Sequence, residues 1–198
     1  LLAHADTFGE ELSPPLQDIL QRGLKRSQNL CLQNLLLSVG THEAVDAMAG
    51  FSNSESRGIG AMRRLLAQIG IPPSASLVSE GTGLSRRDLA TPNALVRLLV
   101  YLAAEPYADM LRGALPIAGV DGTLIDHMRG TAAENNVHAK TGSMAYVHSL
   151  AGYVTTAAGE RLAFAIMLNN YQRADDAPSV SSEVDRIAVL LASYRGRD

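Results

Sequence analysis

At about Val137 the apolar spacing of this chain changes from the period of helices to that of strands, and it stays strand-like as far as Leu168. The segments 137–143, 146–155 and 161–168 each read as a strand, and Ala157-Ala158-Gly159-Glu160 is a turn joining the last two as an antiparallel pair. Leu162-Ala163-Phe164-Ala165-Ile166-Met167-Leu168 is apolar at every position. A strand with one wet face would alternate, so this one is expected to be covered on both faces. A final helix over about 181–194 places Val184, Ile187, Ala188 and Leu191 on one side.

The chain before this point reads as helical. Pro14-Pro15 precede Leu16, Ile19, Leu20 and Leu24, spaced for one helix face. A second helix over 30–39 is expected to stop at Gly40. A third over 54–69 carries Met62, Leu65, Leu66 and Ile69 on one side and closes at Gly70. Residues 71–90 read as loop, because Ile71-Pro72-Pro73 and Glu80-Gly81-Thr82-Gly83 cannot continue a helix. Thr91-Pro92 then pairs a capping residue with proline at the first helical position, ahead of a helix over 95–104 and a short one over 107–113. Helices over 14–115, followed by antiparallel strands and a last helix over 136–198, make the fold class α+β, with 1–198 as one unit.

Composition narrows the function classes. The 198 residues are 46% apolar and 19% charged, which suits a globular domain. No apolar run approaches the roughly 20 residues that cross a bilayer as a helix. A formal net charge of -3 gives no reason to expect nucleic acid as partner. Cys31 is the one cysteine, so no internal disulfide can form. The five histidines lack metal-ligand spacing, and G-x-S-x-G, H-E-x-x-H and a complete dinucleotide fingerprint are absent. No metal or cofactor is expected.

Two short motifs survive this screen. Lys140-Thr141-Gly142-Ser143 ends the first strand segment. Alone it could be any strand with a surface lysine. Beside a hairpin it could present an ammonium and two hydroxyls to a cleft, with Gly142 letting substrate lie against the backbone and the Ser143 N–H acting as an oxyanion donor. Ser27-Gln28-Asn29 lies between two helical stretches, where serine and asparagine also serve as caps. Together they match two of the three signatures of active-site serine penicillin-binding proteins and β-lactamases: S-x-x-K, S-x-N and K-T-G, in that order. The S-x-N hydroxyl can relay a proton to a leaving amine. The asparagine amide can both donate to and accept from a peptide backbone. The lysine charge and the K-T-G hydroxyls suit a substrate ending in a free carboxylate.

On these residues the chain resembles the class C low-molecular-mass penicillin-binding proteins, the D-alanyl-D-alanine carboxypeptidase/endopeptidase family. The resemblance runs from Ser13-Pro14-Pro15-Leu16 and Ser27-Gln28-Asn29-Leu30 through Glu80-Gly81-Thr82-Gly83-Leu84-Ser85-Arg86 and Leu115-Pro116-Ile117-Ala118-Gly119-Val120-Asp121-Gly122-Thr123-Leu124. It continues through His138-Ala139-Lys140-Thr141-Gly142-Ser143 and Ser149-Leu150-Ala151-Gly152-Tyr153 to Leu168-Asn169-Asn170. It implies a β-lactamase/DD-peptidase-like fold and an acyl-enzyme mechanism on peptidoglycan stem peptides, with β-lactams as inhibitors and an extracytoplasmic location. It also implies roles. Ser27 and Asn29 form the S-x-N pair, and Lys140 supplies positive potential beside Ser27. Thr141 and Ser143 bind the terminal carboxylate around Gly142, and the Ser143 N–H forms half the oxyanion hole. Arg86 would hold the acidic side chain of the stem peptide, or stand as a solvated loop charge. Glu80-Gly81-Thr82-Gly83 departs from the usual Asp-Gly-Ser-Gly, and Gln33-Asn34 from the usual Glu-Gln.

The third signature is missing. The lysines are Lys25 and Lys140, and the residues three before them are Arg22 and Val137. With Leu1 in place of Met, the expectation is the C-terminal portion of a longer protein. The nucleophile, the first helix and the first strands of the sheet would then lie upstream, and a natural pseudoenzyme is the rival reading. A non-catalytic peptidoglycan-binding module and a β-lactamase-like hydrolase stay open as functions. In the family the strand over 162–168 is central, so its outer edge here should be covered by residues 1–8, by a second copy of the chain or by a retained N-terminal fragment.

Overall fold

Prolines, capping hydroxyls and a strand-period core set the element boundaries. The computed structural model describes residues 9–43, 53–172 and 178–196. The Pro15 carbonyl accepts the amides of Asp18 and Ile19 and starts helix α1 (Leu16–Lys25). Helix α2 (Asn29–His42) packs against α3 (Ser54–Gln68), which begins in a capping box between Asn53 and Ser56. Thr91 Oγ1 accepts the Ala94 amide at 3.2 Å and, with Pro92, opens α4 (Pro92–Ala103). Helix α5 (Ala108–Ala114) and a 3-10 turn (Gly122–Leu124) lead to strands β3 (His138–Met144), β4 (Val147–Thr155) and β5 (Arg161–Asn169). Ser179 caps the last helix, α6 (Val180–Ser193).

Three expectations need correction. Helix α2 does not stop at Gly40 but runs through it. Gly40 is buried where α3 crosses, and a Cβ there would lie 1.7 Å from the Ser54 carbonyl oxygen. Its role is close approach, not termination. The segment 71–90 contains two short antiparallel strands, β1 (Ser76–Leu77) and β2 (Leu89–Ala90), too brief to register as a period. On α6 the buried stripe is Val184, Ala188 and Ala192, whereas Ile187 is exposed, so the apolar face is rotated from the one expected.

Strands β3, β4 and β5 form an antiparallel sheet in that order. On one face Ala139, Leu150, Val154 and Phe164 join Val184, Ala188 and Ala192 of α6, with Leu124 and Met128 closing the core. Helix α4 lies against the other face, where the Tyr153 hydroxyl donates to the Leu99 carbonyl at 2.7 Å. Strand β5 is thus packed on both faces, as its unbroken apolar run requires. It is an edge strand among the described residues, and residues 1–8, one candidate to cover it, lie outside them.

Gly152 sits opposite Ala139 on the crowded face. A Cβ at this position would stand 2.1 Å from the His138 carbonyl oxygen and 2.5 Å from Ala139 Cα, both backbone atoms that cannot swing away. Gly152→Val is expected to destabilise the chain by about 3 kcal/mol, read from the denaturant midpoint. A loss below about 1 kcal/mol would mean that β3 and β4 have room to separate.

Candidate active site

Ser27 is placed by a helix ending. At the end of α1 the Gln28 amide donates to the Gly23 carbonyl at 2.9 Å and the Ser27 amide to the Leu24 carbonyl at 3.4 Å. This is the Schellman pattern, and it requires a left-handed residue between the two helices. Ser27 is that residue, with φ of 52°. Glycine would fit the backbone at less cost, since a non-glycine residue held there costs about 1 kcal/mol or more. What serine adds is a hydroxyl. That hydroxyl is not a helix cap: Gln28 occupies the N-cap of α2, and no side chain caps there. Asn29 is the first residue of α2, half-buried.

Lys140 meets Ser27 across 113 residues of chain, its ammonium donating to Ser27 Oγ at 2.9 Å and to the Thr141 carbonyl at 2.8 Å. Ser27 Oγ is therefore an acceptor from lysine, and its own proton is available to another partner. Burial lowers the Lys140 pKa from the ordinary lysine value, so the proton it holds is easier to release than on a solvated lysine.

Strand alternation orients the next two residues. The Ala139 amide donates outward, away from β4, to the Pro116 carbonyl at 2.9 Å. Backbone groups alternate sides along a strand, so Thr141 and Ser143 present theirs to the same outer edge. The Thr141 carbonyl, which accepts from Lys140, agrees. The Ser143 N–H thus points where a ligand lying along β3 would meet it. The space beside Gly142 is not open, because a Cβ there would stand 2.6 Å from Ser149 Oγ.

A second contact locks the turn to the strand. Lys25 donates to Asp121 Oδ2 at 2.6 Å and to the Leu115 carbonyl at 2.9 Å, while Asp121 Oδ1 accepts the Ile117 amide. This ties the end of α1 to the 115–124 segment. From that segment Thr123 Oγ1 reaches Thr141 Oγ1 at 2.8 Å. Beyond it opens a cleft of about 580 Å³, whose walls include Thr123, His127, Thr141, Ser143, His148 and Tyr171. Thr141 and Ser143 are in that wall. Ser27, Asn29 and Lys140 are not in it; Lys140, next to Thr141 on β3, turns its ammonium to Ser27 instead.

Arg86 is not in this wall; it is exposed on the loop over 79–88. That loop is fixed to α2 and α3: the Gly81 amide donates to Gln33 Oε1, and Gln33 Nε2 donates to Glu55 Oε1, each at 2.6 Å. Glu80 organises the loop from within, accepting the amides of Thr82, Leu84 and Ser85. Burial alone would raise its pKa, but the Thr82 hydroxyl and the Ser85 and Thr82 amides outweigh it and hold the carboxyl at about 2. A carboxyl depressed on folding contributes stability above its ordinary value of 4.5 and loses that contribution as pH falls towards about 2. Comparing thermal unfolding of the parent chain with Glu80→Gln, the parent's advantage should be full above pH 4.5 and vanish near pH 2. A gap unchanged across that window would show that the amides do not favour the ionised carboxylate.

Sequence reasoning missed Lys25, Asp121, Gln33, Thr123, His127 and His148. Gln33 had a signal, since it lies one turn beyond Asn29 on α2. His148 had none, because only the β3–β4 register puts it opposite Ser143.

Comparison with known proteins bears on the family and the fold. Residues 3–191 match the model of the D-Ala-D-Ala carboxypeptidase 3 (S13) family. A D-alanyl-D-alanine carboxypeptidase from Actinomadura sp. is 35% identical over 197 residues, 97% of this chain and 35% of the relative. The chain spans about a third of the length of the curated relatives it matches. Penicillin-binding protein 4 from Haemophilus influenzae, solved in complex with a β-lactam, superposes with a TM-score of 0.76 at 31% identity, covering 93% of this chain and 43% of that one. A class A β-lactamase from Bacteroides cellulosilyticus, at 20% identity and a TM-score of 0.64 over 90% of this chain and 64% of that one, shares the fold.

Proposed function

The chain belongs to the D-Ala-D-Ala carboxypeptidase 3 (S13) family, and from that premise we propose that it forms the S-x-N and K-T-G side of a serine D-alanyl-D-alanine carboxypeptidase/endopeptidase acting on peptidoglycan stem peptides. A segment outside these 198 residues supplies the S-x-x-K nucleophile. The reaction is acyl transfer: the serine attacks the carbonyl of the penultimate D-alanine, terminal D-alanine leaves, and water releases the acyl group. Ser27 passes a proton to the departing amine, and Lys140 restores it or holds the positive potential that favours the transfer. Asn29 binds the peptide backbone. The Ser143 N–H stabilises the oxyanion, and the hydroxyls of Thr141 and Ser143 receive the terminal carboxylate. Arg86 holds the acidic side chain of the stem peptide. The substrate lies outside the cytoplasmic membrane, so the site works in an extracytoplasmic compartment; among the described residues no helix is long and apolar enough to cross a membrane.

The observation that carries this reading is the 2.9 Å bond from Lys140 to Ser27. It joins the two motifs in the relation that proton relay needs. The test uses the longer protein containing the S-x-x-K segment. It should release D-alanine from a peptide ending in D-Ala-D-Ala, and Ser27→Ala should slow release about 10²–10⁴-fold, the range for a positioned acid–base group. Peptide binding without release would favour a binding module. Rapid turnover of penicillin would favour a β-lactamase.

A further inference from the structure

The cleft beside Thr141 and Ser143 holds two imidazoles that no step above uses. Among the described residues that line it there is no lysine or arginine, so His127 and His148 are the groups able to bring a positive charge to a ligand there. They are not equivalent. His127 Nδ1 lies 2.9 Å from Asp185 Oδ2 of α6, so its ring already has a carboxylate partner. His148 Nδ1 lies 2.8 Å from Ser143 Oγ, its cross-strand neighbour. Lys140 is on the other face of β3, its ammonium turned to Ser27 and the Thr141 carbonyl.

We propose that His148 determines the carboxylate specificity of this cleft: its Nδ1–H donates to Ser143 Oγ, which turns the Ser143 proton toward the carboxylate, and its ring supplies the neutralising charge. This rests on the reading of Thr141 and Ser143 as the seat of the substrate's terminal carboxylate. The groups facing His148 are Ser143 on β3, Leu168 on β5, His127 on the 122–131 segment, Asp185 on α6 and Tyr171. Burial pushes the His148 pKa down; Asp185 opposes this and His127 adds to it. An anion seated on Ser143 reverses the balance, since an opposite charge close by favours the protonated ring. Carboxylate binding therefore takes up a proton, and a ligand ending in an amide does not.

The probes are N-acetyl-D-alanyl-D-alanine and its C-terminal amide, bound to the chain at pH about 5.5 and about 8, either side of the range in which imidazole titrates. The acid should bind roughly tenfold more tightly at the lower pH, the worth of about one unit of pKa change, and the amide should not respond. His148→Asn keeps a donor near Ser143 but cannot titrate, so it should bind the acid with no pH dependence. In the unmodified chain, the His148 ring resonance should move and its titration midpoint rise with the acid alone, while His127 stays paired to Asp185. If the Thr141 and Ser143 amides shift but the His148 ring does not, or if His148→Asn keeps the pH dependence, the inference is overturned and the functional reading stands. If neither ligand perturbs Thr141 and Ser143, both are overturned.

Discussion

A labelled penicillin is expected to leave no covalent adduct on the 198-residue chain, by intact-mass measurement at any penicillin excess. A β-lactam acylates a serine whose hydroxyl is activated by a neighbouring base. In this sequence no serine stands three residues before a lysine, and both lysines are engaged elsewhere: Lys25 on Asp121 and the Leu115 carbonyl, Lys140 on Ser27 and the Thr141 carbonyl. Among the described residues, Ser27 is the serine that a lysine side chain bonds. Its Oγ accepts from an ammonium, and a lysine that is donating cannot remove the serine proton. On the proposed reading, the same penicillin should acylate stoichiometrically a longer protein that contains the S-x-x-K segment. An adduct on Ser27 of the chain alone would mean that Lys140 works as a base, and would move the nucleophile into the residues present here.

The parts of this molecule visible in its sequence share one property: neighbours along the chain fix them. The α4 start follows from Thr91-Pro92, and the two-sided burial of β5 follows from its unbroken apolar run. Gly40 misled because a glycine that ends a helix and one that lets another helix pass are the same letter; only the contact with Ser54 separates them. The rotation of α6 has a similar origin, since the sheet buries small alanines at 188 and 192 where periodicity favours the larger Ile187. At the site, Ser27 and Lys140 could be paired only through a known motif set, as no local rule links residues 113 apart. The Schellman turn that aims Ser27 was illegible because that position usually holds glycine. Asp121 and His148 became visible only once the 115–124 segment and the β3–β4 register had placed them.

Lys140→Met is expected to slow acylation and D-alanine release by the longer protein about 10²–10³-fold, the usual loss when one preorganised electrostatic group is removed from a transition-state site. Methionine keeps the length and apolar stem but gives no donor to Ser27 Oγ or to the Thr141 carbonyl, both now bonded by the ammonium. The fold should suffer much less. Burial lowers the Lys140 pKa, so the folded chain holds this proton less tightly than the unfolded chain does. The penalty on the buried charge is therefore full at low pH and is relieved as pH rises through the lowered value towards that of an ordinary lysine. Removing the charge removes that penalty, which offsets the lost hydrogen bonds, and replacing a buried charge with an apolar group of similar volume is often near neutral. The denaturant midpoint of Lys140→Met should accordingly lie within about 1 kcal/mol of the parent. Lys140→Arg should not rescue the rate, because a planar guanidinium cannot replace a compact ammonium between Ser27 Oγ and the Thr141 carbonyl. Full activity with methionine would show that the bond to Ser27 only braces the turn between α1 and α2. Collapse of stability alongside activity would show that Lys140 holds the helices to the sheet and that its effect on the reaction is indirect.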